Sequence, residues 1–470
     1  MTPRLAFATA SAFVLFSLHP GQAAAQRSAH EQLTREIYAE LIGINTTDTP
    51  AGDNTKAAEA MAARLLAAGY DSADVHVLAP APRKGNLVAR LRGTGEREPL
   101  LLLAHLDVVT ALREDWSLDP FVLTERDGWY YGRGTSDDKA MAAIFTATMI
   151  RLKREGYRPD RDIILALTAD EEGGDHNGVA WLLAEHRDLV DAAYAINEGG
   201  GGALRNGKPL MQGLQAAEKR YSDFTVTVHN KGGHSSVPVT PNAIYQLSTG
   251  LGRLAGFTFP VRLNPVTTSS LERLALVSEP ELARAMKALA ANPADTAAER
   301  VVSSVPSYNA SLRTTCVATM LSAGHAPNAL PQTASANVNC RIIPGETPES
   351  VRAELVRVLA DTAIEVSEGS GGGPSDPSPL TPEVMDAVER LTEQMWPGTP
   401  VVPTMSNGAT DGRHLRAAGI PTYGVSGLFG EIGEGRAHGR DERMSVKSFE
   451  DGTRFLEALV RALSGGKTAM

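Results

Sequence analysis

The chain has 470 residues, of which 42% are hydrophobic and 21% are charged, and its net charge at pH 7 is −10. The length favours two domains of ordinary size, and the composition is that of a folded protein rather than a disordered one. The negative charge and the lack of long Lys or Arg runs argue against a polyanion-binding arm, so we expect no nucleic-acid partner.

The first 25 residues have the pattern of a signal peptide. Arg4 precedes an apolar run from Leu5 to Leu18, and small residues at 23–25 predict cleavage before Gln26. The run is too short to span a bilayer comfortably, and no later segment offers about 18 consecutive apolar residues. The sequence therefore predicts a secreted or periplasmic protein without a membrane anchor, and a buried helix is the alternative reading of the run.

Apolar spacing in the next part of the chain predicts alternating helices and strands. The expected helices are 29–42, 55–68, 138–155 and 178–185, and the expected buried strands are 98–105, 162–168 and 192–196. This alternation favours an α/β layer, with a mostly parallel sheet flanked by helices. We assign residues 26–217 to the first part of a catalytic domain.

The pattern changes after residue 217. The expected elements are a strand over 222–229 with one wet face, a helix over 242–254, an irregular stretch over 257–308, two strands, a helix over 348–360 and a strand over 363–367. We interpret residues 218–370 as an inserted α+β domain, which a connection rich in Gly, Ser and Pro ends. Residues 371–470, with a final helix over 446–463, are expected to complete the catalytic domain.

Cys316 and Cys340 are the only cysteines in the sequence. They exclude a Cys-rich zinc module and allow at most one disulfide. The two residues lie in predicted strands and are equidistant from Asn328, so a hairpin centred there would set them opposite each other. A cross-strand disulfide is one prediction, and two buried free thiols are the alternative.

Histidine and acidic residues stand where predicted strands end. His105 and Asp107 follow the first buried strand, at the usual location of ligands in open α/β sheets. Asp107 could hold the second ring nitrogen of His105, as metal-bound imidazoles usually require. A buried core histidine is the alternative for His105 taken alone.

Two further segments bring carboxylates together. Asp137 and Asp138 follow a glycine turn ahead of a helix, where Asp138 could be an N-cap and Asp137 suits a carboxylate that bridges two metals. Asp170, Glu171 and Glu172 end an apolar strand, where uncompensated acids would repel one another. A solvated acidic loop is the alternative. Adjacent Glu residues suit a division in which one binds metal and the other takes a proton from water.

Glu198 and His438 complete this set of residues. Glu198 follows the next predicted strand and precedes the glycines 199–202, whereas His438 lies in a charged loop before the final helix. The glycine run is not a phosphate loop, because no Gly-Lys-Ser or Gly-Lys-Thr follows it. His438 alone would be a surface histidine, but together with the acids it forms a set of N and O ligands suited to zinc or a similar divalent ion.

The motifs resemble those of the dinuclear zinc peptidases that include glutamate carboxypeptidase, aminoacylase, acetylornithine deacetylase and succinyl-diaminopimelate desuccinylase. His-x-Asp, Gly-Arg-Gly-x-x-Asp-Asp-Lys, Asp-Glu-Glu-Gly, Gly-Gly-His-Ser-Ser and a C-terminal His occur in family order over about residues 30–465. Within the family, the chain most resembles the branch of Gly-X carboxypeptidases and N-acyl amino acid hydrolases. Ala140 departs from the pattern, because relatives commonly have glycine there.

The resemblance implies two divalent metal ions, expected to be Zn²⁺, and a metal-activated water that cleaves an amide bond. The implied ligands are His105, Asp137 and Glu198 for one ion, and Asp137, Glu172 and His438 for the other. Glu171 would be the general base and acid, and Asp107 a further catalytic residue.

The resemblance also gives the inserted domain the role of a lid, through which relatives often form homodimers. His234 matches a lid histidine that polarises the scissile carbonyl, in many relatives across the dimer, and a histidine in a glycine turn is the alternative. Asn328 and Arg341 stand where relatives have lid residues that contact substrate. Asp411 and Arg413 resemble a loop that helps to hold the substrate carboxylate, for which Arg offers a bidentate fork. An ion pair between Asp411 and Arg413 is the alternative.

The sequence thus predicts a hydrolase of small peptides or N-acyl amino acids that carry a free carboxylate, of the carboxypeptidase or aminoacylase type. An aminopeptidase or dipeptidase of the same family is the main alternative. A non-catalytic metal or peptide binder is a further alternative, although such proteins usually lose a ligand or the base. A serine hydrolase is disfavoured, because Leu428 occupies the place of the last glycine in an elbow around Ser426.

Overall fold

The computed structural model describes residues 27–373 and 375–465. The predicted signal peptide and its cleavage site lie outside these residues. Within them, no helix combines the length and the apolar character that crossing a bilayer requires.

The helices and strands up to the end of the first catalytic segment alternate as expected. They are α1 (Ala29–Gly43), α2 (Asn54–Ala67), β1 (Val75–Leu78), β2 (Asn86–Leu91), β3 (Leu100–His105), β4 (Thr124–Arg126), β5 (Trp129–Tyr131), α3 (Lys139–Arg154), β6 (Ile163–Thr168), α4 (Gly178–Glu185), α5 (Arg187–Val190), β7 (Tyr194–Asn197), β8 (Gly202–Arg205) and β9 (Lys208–Glu218).

The remaining elements form the inserted segment and the end of the chain. The inserted segment contains β10 (Arg220–His229), β11 (Gly233–His234), α6 (Ala243–Ala255), α7 (Pro265–Leu274), α8 (Pro280–Ala291), α9 (Thr296–Ser303), α10 (Pro306–Leu312), β12 (Thr315–Ala323), β13 (Ala329–Leu330), β14 (Thr333–Ile342), α11 (Pro348–Leu359) and β15 (Ile364–Gly371). The last segment contains α12 (Pro382–Met395), β16 (Val401–Ser406), α13 (Gly412–Ala417), β17 (Thr422–Gly424), β18 (Phe429–Glu431), β19 (Arg443–Ser445) and α14 (Val446–Ser464).

One large sheet contains strands from both catalytic segments. Its order is β1-β2-β6-β3-β7-β17-β9-β8-β18, with β16 beside β9. The central strands β6, β3, β7 and β17 run parallel, whereas antiparallel pairs occur towards both edges. The prediction of an α/β fold with a mostly parallel sheet flanked by helices is confirmed.

The side chains of β3 show why this sheet is covered on both faces. Alternate residues of a strand point to opposite faces. Leu100 and Leu102 join an apolar core with α1, α3 and α14, whereas Leu101 and Leu103 join a second core with α4 and α13. Burial on both faces requires the continuous apolar run that the sequence has here.

The topology of the sheet brings three strand ends together. β6, β3 and β7 are neighbours and run parallel, so their carboxyl ends lie side by side at one edge. β3 ends at His105, β7 is followed at once by Glu198, and β6 is followed by the acids at 170–172. The fold therefore collects the predicted ligands from distant parts of the chain.

The part of the inserted segment that is expected to act as a lid, and that we call the lid, has its own sheet and core. β10, β12, β14 and β15 form an antiparallel sheet of order β12-β14-β10-β15. Phe224, Val338 and Leu355 lie in the core that this sheet forms with α6 and α11. The proposed domain boundaries at 218 and 370 remain predictions, and β15 ends one residue beyond the second of them.

The stretch 257–308 is not irregular, because it contains four helices, α7 to α10. Each is only 7 to 12 residues long, so each shows few turns of apolar spacing, but Pro occupies the first position of three of them, which is a recognised helix start. These helices pack on the catalytic sheet, since Leu271 of α7 and Val402 of β16 share one apolar core.

The two cysteines form a disulfide. Cys316 and Cys340 face each other in the antiparallel pair of β12 and β14, as the hairpin argument predicts. This outcome excludes the alternative of two free thiols. The bond links residues 24 positions apart and so stabilises the lid sheet, mainly by restricting the unfolded chain.

A buried lysine stands where the chain passes from the catalytic sheet into the lid. Lys219 lies between β9 and β10, and its Nζ donates to the carbonyl of Ala310 at 2.7 Å and to Oγ1 of Thr315 at 3.1 Å. Burial, with a smaller effect of Arg341, lowers the pKa of Lys219 to about 7. The junction therefore carries an amine that gives up its proton far more readily than one in water.

We predict that Lys219 makes stability depend on pH. Between its folded pKa of about 7 and its ordinary value of 10.5, the unfolded chain binds more protons than the folded one. The free energy of unfolding should therefore rise with pH across this window, by at most about 1.4 kcal/mol per pH unit from this group. Lys219→Met should reduce the rise, which denaturant unfolding at several pH values measures. Parallel pH curves for the two proteins would contradict the prediction.

Candidate active site

The first ligand group combines the ends of β3 and β7 with the loop before α3. His105 Nε2 lies 3.0 Å from Oδ1 of Asp137 and 4.0 Å from Oε2 of Glu198. One ligand atom of each residue lies within 4.8 Å of the other two. The structure thus brings together the three residues that the sequence predicts for one ion.

The second ligand group shares Asp137 with the first. His438 Nε2 lies 2.9 Å from Oε1 of Glu172 and 3.2 Å from Oδ2 of Asp137. The two carboxylate oxygens of Asp137 therefore face different histidines, with Oδ1 towards His105 and Oδ2 towards His438. A carboxylate held in this way can bridge two divalent ions.

The cluster contains more carboxylates than its histidines can balance. Burial raises the pKa of Glu198 well above its ordinary value and that of Glu171 to about 10. Asp137 differs: burial opposes its charged form, but hydrogen bonds to His105 and His438 hold its pKa below the ordinary value. Buried carboxylates at this density need cations, and imidazole with carboxylate is a donor set that suits zinc. The residues present therefore fit two divalent ions.

The imidazole of His438 responds to the same carboxylates. Hydrogen bonding to Asp137, with a further contribution from Glu172, raises the pKa of His438 to about 9. The side chain is 55% exposed, so one side of the cluster faces solvent. Solvent access on this side gives water and a small substrate a route to the ligand groups.

Asp107 contacts the site differently from the prediction. The Nδ1 atom of His105 lies 3.0 Å from the backbone carbonyl oxygen of Asp107, but 3.7 Å from its carboxylate. The carbonyl, and not the predicted carboxylate, is thus the nearer partner of the ring. The carboxylate instead accepts the backbone N–H groups of Glu171 at 3.1 Å and Glu172 at 2.9 Å. Asp107 therefore positions the acidic segment.

The three acids after β6 have three different environments. Asp170 is buried and forms an ion pair with Lys84 at 2.6 Å, which the sequence did not indicate. Glu172 belongs to the second ligand group, and Glu171 belongs to neither group found in the described residues. This geometry therefore allows the predicted division, in which Glu172 binds metal and Glu171 does not. The solvated acidic loop is not observed, since Asp170 is only 3% exposed.

Glu442 is a buried acid whose role the sequence did not reveal. Its carboxylate pairs with Arg133 at 2.7 Å and accepts the backbone N–H groups of Ser136 at 2.7 Å and Asp137 at 3.2 Å. It therefore shapes the turn that presents the shared carboxylate. Asp138 follows in this turn, and its side chain makes no capping hydrogen bond to α3. The only sequence signal of Glu442 is its place in the charged loop around His438.

We predict that Glu442→Gln weakens the ligand groups without touching a ligand. Residues that orient metal ligands typically change metal affinity or activity by about 10- to 100-fold. Affinity for a divalent metal, measured by titrating Zn²⁺ into metal-free protein, should fall by such a factor, because Arg133 and the turn lose their charged partner. Glu389→Gln is the matched control, since Glu389 on α12 is an acid that pairs with Arg273 at 2.6 Å outside the loop of His438. Full metal affinity in a folded Glu442→Gln protein would refute this role.

The expected carboxylate-binding residues Asp411 and Arg413 are not paired with each other in the described chain. Asp411 is buried and accepts from Nδ2 of Asn177 at 2.6 Å and from Oγ1 of Thr168 at 3.3 Å. Burial raises its pKa to about 6. The Nε atom of Arg413 donates to Nε2 of His414 at 3.2 Å. The alternative of an Asp411–Arg413 ion pair is thus not observed.

The lid places His234 and Asn328 close together. β11 pairs with β13, so that His234 lies opposite Ala329, and Ser235 donates its backbone N–H to the carbonyl of Asn328 at 3.0 Å. The imidazole of His234 is exposed and accepts from Oγ of Ser236 at 2.7 Å. Two residues predicted to contact substrate thus share one small element of the lid.

Arg341 lies in another part of the lid, on β14. Its guanidinium is 4.9 Å from the ring centroid of Tyr221. No hydrogen bond or ion pair joins Arg341, His234 or Asn328 to the two ligand groups within residues 27–373 and 375–465. The structure thus assembles the predicted ligands and leaves the predicted lid residues apart from them.

Comparison with known proteins identifies the family. The model of "Peptidase family M20/M25/M40" matches residues 101–462. The N-fatty-acyl-amino acid synthase/hydrolase PM20D1 of Xenopus tropicalis is 30% identical over 378 residues, which cover 77% of this chain and 72% of that protein. The probable carboxypeptidase S-like 2 of Dictyostelium discoideum is 28% identical over 394 residues, covering 80% of this chain and 74% of that protein.

A solved structure has the same fold. The M20 family metallo-carboxypeptidase Sso-CP2 from Sulfolobus solfataricus matches with a TM-score of 0.69 and 18% identity, covering 92% of this chain and 99% of that one. The fold and the family match define a metal-binding hydrolase of the metallopeptidase and amidohydrolase class. The chain belongs to peptidase family M20/M25/M40.

Proposed function

We propose that this chain is an exported hydrolase, of the carboxypeptidase or aminoacylase type, that cleaves small peptides or N-acyl amino acids with a free carboxylate. The observation that carries the proposal is the position of Asp137 between two histidines, in a chain whose half-buried Glu171 belongs to neither ligand group. The names of the relatives, an N-fatty-acyl-amino acid hydrolase and a probable carboxypeptidase, support this substrate class. An aminopeptidase or dipeptidase is the second candidate.

Two divalent ions, proposed to be zinc, would be held by the two ligand groups. The groups are His105, Asp137 and Glu198, and Asp137, Glu172 and His438. When bound, two such ions activate a water and polarise the carbonyl that it attacks. The absence of a cysteine ligand and the mixture of nitrogen and oxygen donors suit catalytic rather than structural zinc.

Glu171 is the proposed general base and acid. Beside cations the pKa of a carboxyl falls, which offsets the effect of burial on Glu171. Its carboxylate then takes a proton from the attacking water and returns it to the nitrogen of the leaving amine as the C–N bond breaks. Asp107 supports this role by accepting the backbone N–H of Glu171, which fixes the base relative to the ligands.

We predict that Glu171→Gln strongly reduces turnover and keeps the metals. General acid–base catalysis contributes about 10²- to 10⁴-fold, so kcat should fall by that factor on a panel of N-acyl amino acids, dipeptides and amino acid amides. Elemental analysis should show unchanged metal content, because Glu171 is in neither ligand group. Glu185→Gln, in an exposed position of α4, is the matched control. Near-normal turnover by Glu171→Gln would sink the mechanism.

The substrate-contacting residues proposed from the family pattern divide between lid and catalytic domain. Arg413 and Asp411 would act on the catalytic side, and Asn328 and Arg341 on the lid. His234 would polarise the scissile carbonyl, and its exposed imidazole supports a role outside its own lid core. In such a site the substrate must lie between lid and ligand groups, either after lid movement or in a dimer.

A homodimer through the lid is part of the proposal. β12 is an edge strand of the lid sheet, and Val317, Met320 and Leu321 on it are at least 60% exposed. The neighbouring helix α6 adds the exposed Ile244 and Tyr245. An open strand edge with apolar side chains favours pairing with a second chain.

We predict that Met320→Lys combined with Leu321→Lys gives a monomer, because two charges would have to be buried in the interface. Light scattering should show half the mass of the unchanged protein. Leu276→Lys is the matched control, since Leu276 is 67% exposed and lies outside the lid edge. A monomeric unchanged protein, or a dimer that survives both charges, would contradict the assignment of this surface.

Export is proposed on two features of the chain. Residues 1–25 have the signal-peptide pattern, and the Cys316–Cys340 disulfide is of a kind that persists in oxidising compartments. The non-catalytic alternative has less support, because the five expected ligands and the expected base all lie in one cluster or directly beside it.

A further inference from the structure

A cavity away from the two ligand groups lies between α7, α10 and the strands β8, β9 and β16. Its volume is about 200 Å³, and none of its lining residues belongs to the two ligand groups. The apolar part of its wall includes Leu210, Met211, Leu271, Leu274, Leu312 and Met405. The helices that were expected to be irregular chain therefore enclose an apolar space against the catalytic sheet.

A cation stands at the rim of this cavity. Arg205, the last residue of β8, lines the space and is exposed. Tyr308 on α10 lines the same cavity, and burial raises the pKa of its phenol, an effect that the charge of Arg205 opposes. In the described part of the chain, neither the guanidinium of Arg205 nor the hydroxyl of Tyr308 has a hydrogen-bond or ion-pair partner, although the backbone of Arg205 pairs with Lys208. The rim thus offers a positive charge and a neutral donor beside an apolar interior.

A neighbouring acid makes no ion pair with this cation within the described residues. Glu431 of β18 pairs with Leu204 across the strands, directly beside Arg205. Its carboxylate accepts the backbone N–H groups of Asn206 and Gly207 in the turn that follows β8. The acid therefore holds the turn, and the guanidinium of Arg205 keeps its capacity for an anion.

We propose that this cavity binds an unbranched aliphatic monocarboxylate, a short- or medium-chain fatty acid. The carboxylate pairs with the guanidinium fork of Arg205 and accepts the hydroxyl of Tyr308, while the chain lies against Leu271, Leu274 and Met405. The cavity is smaller than the roughly 300–1,000 Å³ of common ligand pockets, so long chains are excluded. This site is separate from the proposed hydrolytic centre.

Octanoate is the probe for this site, and calorimetric titration of the holoenzyme is the measurement. Saturable binding is expected, with a dissociation constant that rises about tenfold or more in Arg205→Gln, because a charge-assisted pair is lost. Arg284→Gln, an exposed arginine on α8 outside the cavity, should bind octanoate as the unchanged protein does. Octanol should bind more weakly and should not respond to Arg205→Gln.

A cavity-filling variant separates this site from the metal-ligand groups. Val277→Trp places a large side chain in the space and should abolish octanoate binding while amide hydrolysis continues unchanged. Ser270→Phe fills the same space from α7 and serves if the first variant does not fold. Octanoate binding that persists in Arg205→Gln and in the folded filled variant assigns the fatty acid to another site and overturns the proposal. The binding readout does not need hydrolysis, so failure of the proposed enzymatic activity leaves this test intact.

Discussion

The position of Asp137 is the constraint on which the rest of the site depends. One of its oxygens faces His105 at the end of β3, and the other faces His438, which arrives more than 300 residues later in the chain. Holding a buried carboxylate between two such partners costs desolvation energy, which its hydrogen bonds offset. The chain must therefore return to the first half of the catalytic domain after the lid, and the interrupted domain order follows from this return.

The same return explains why Glu442 lies so close to His438 in the chain. The loop that supplies the distant histidine also supplies the acid that pairs with Arg133 and binds the backbone of the turn around Ser136. Ligand and support thus arrive on one segment. A displacement of this loop would move His438 and the turn of Asp137 together. Two of the three residues of the second ligand group would therefore shift as one unit.

A buried ion pair connects the end of β9, where the chain enters the lid, to the last segment of the chain. Glu218, the last residue of β9, pairs with Arg416 and accepts the N–H of Thr410 at 2.8 Å. Arg416 in turn donates to Oγ of Ser375, in the segment that returns from the lid, at 2.9 Å. Both crossings therefore contact residues 410–416, the segment that contains Asp411. These contacts therefore hold both connections between the inserted segment and the catalytic sheet.

The large-scale features could be predicted because they follow from local patterns. Continuous apolar runs such as β3 require burial on both faces, and ligands at the ends of parallel strands converge without further information. The contacts of Glu442 and Lys84 could not be predicted, since each joins parts of the chain that only the tertiary fold brings together. The sequence could not show whether the carbonyl or the carboxylate of Asp107 contacts the His105 ring. The direction of the backbone decides this, and residue spacing gives no information on it.

The separation of Glu171 from Glu172 follows from the residue before them. Asp170 has a φ of +61°, a left-handed conformation that a residue with a side chain adopts only at some cost. Its carboxylate offsets this cost by binding Lys84 at 2.6 Å and the N–H of His176 at 3.2 Å. Once the chain turns in this way, the carboxylate of Asp107 binds the next two N–H groups and fixes both glutamates. Glu172 then reaches His438 and Glu171 stays outside the ligand groups, so the ion pair of Asp170 with Lys84 helps to determine which of the two glutamates faces the histidine.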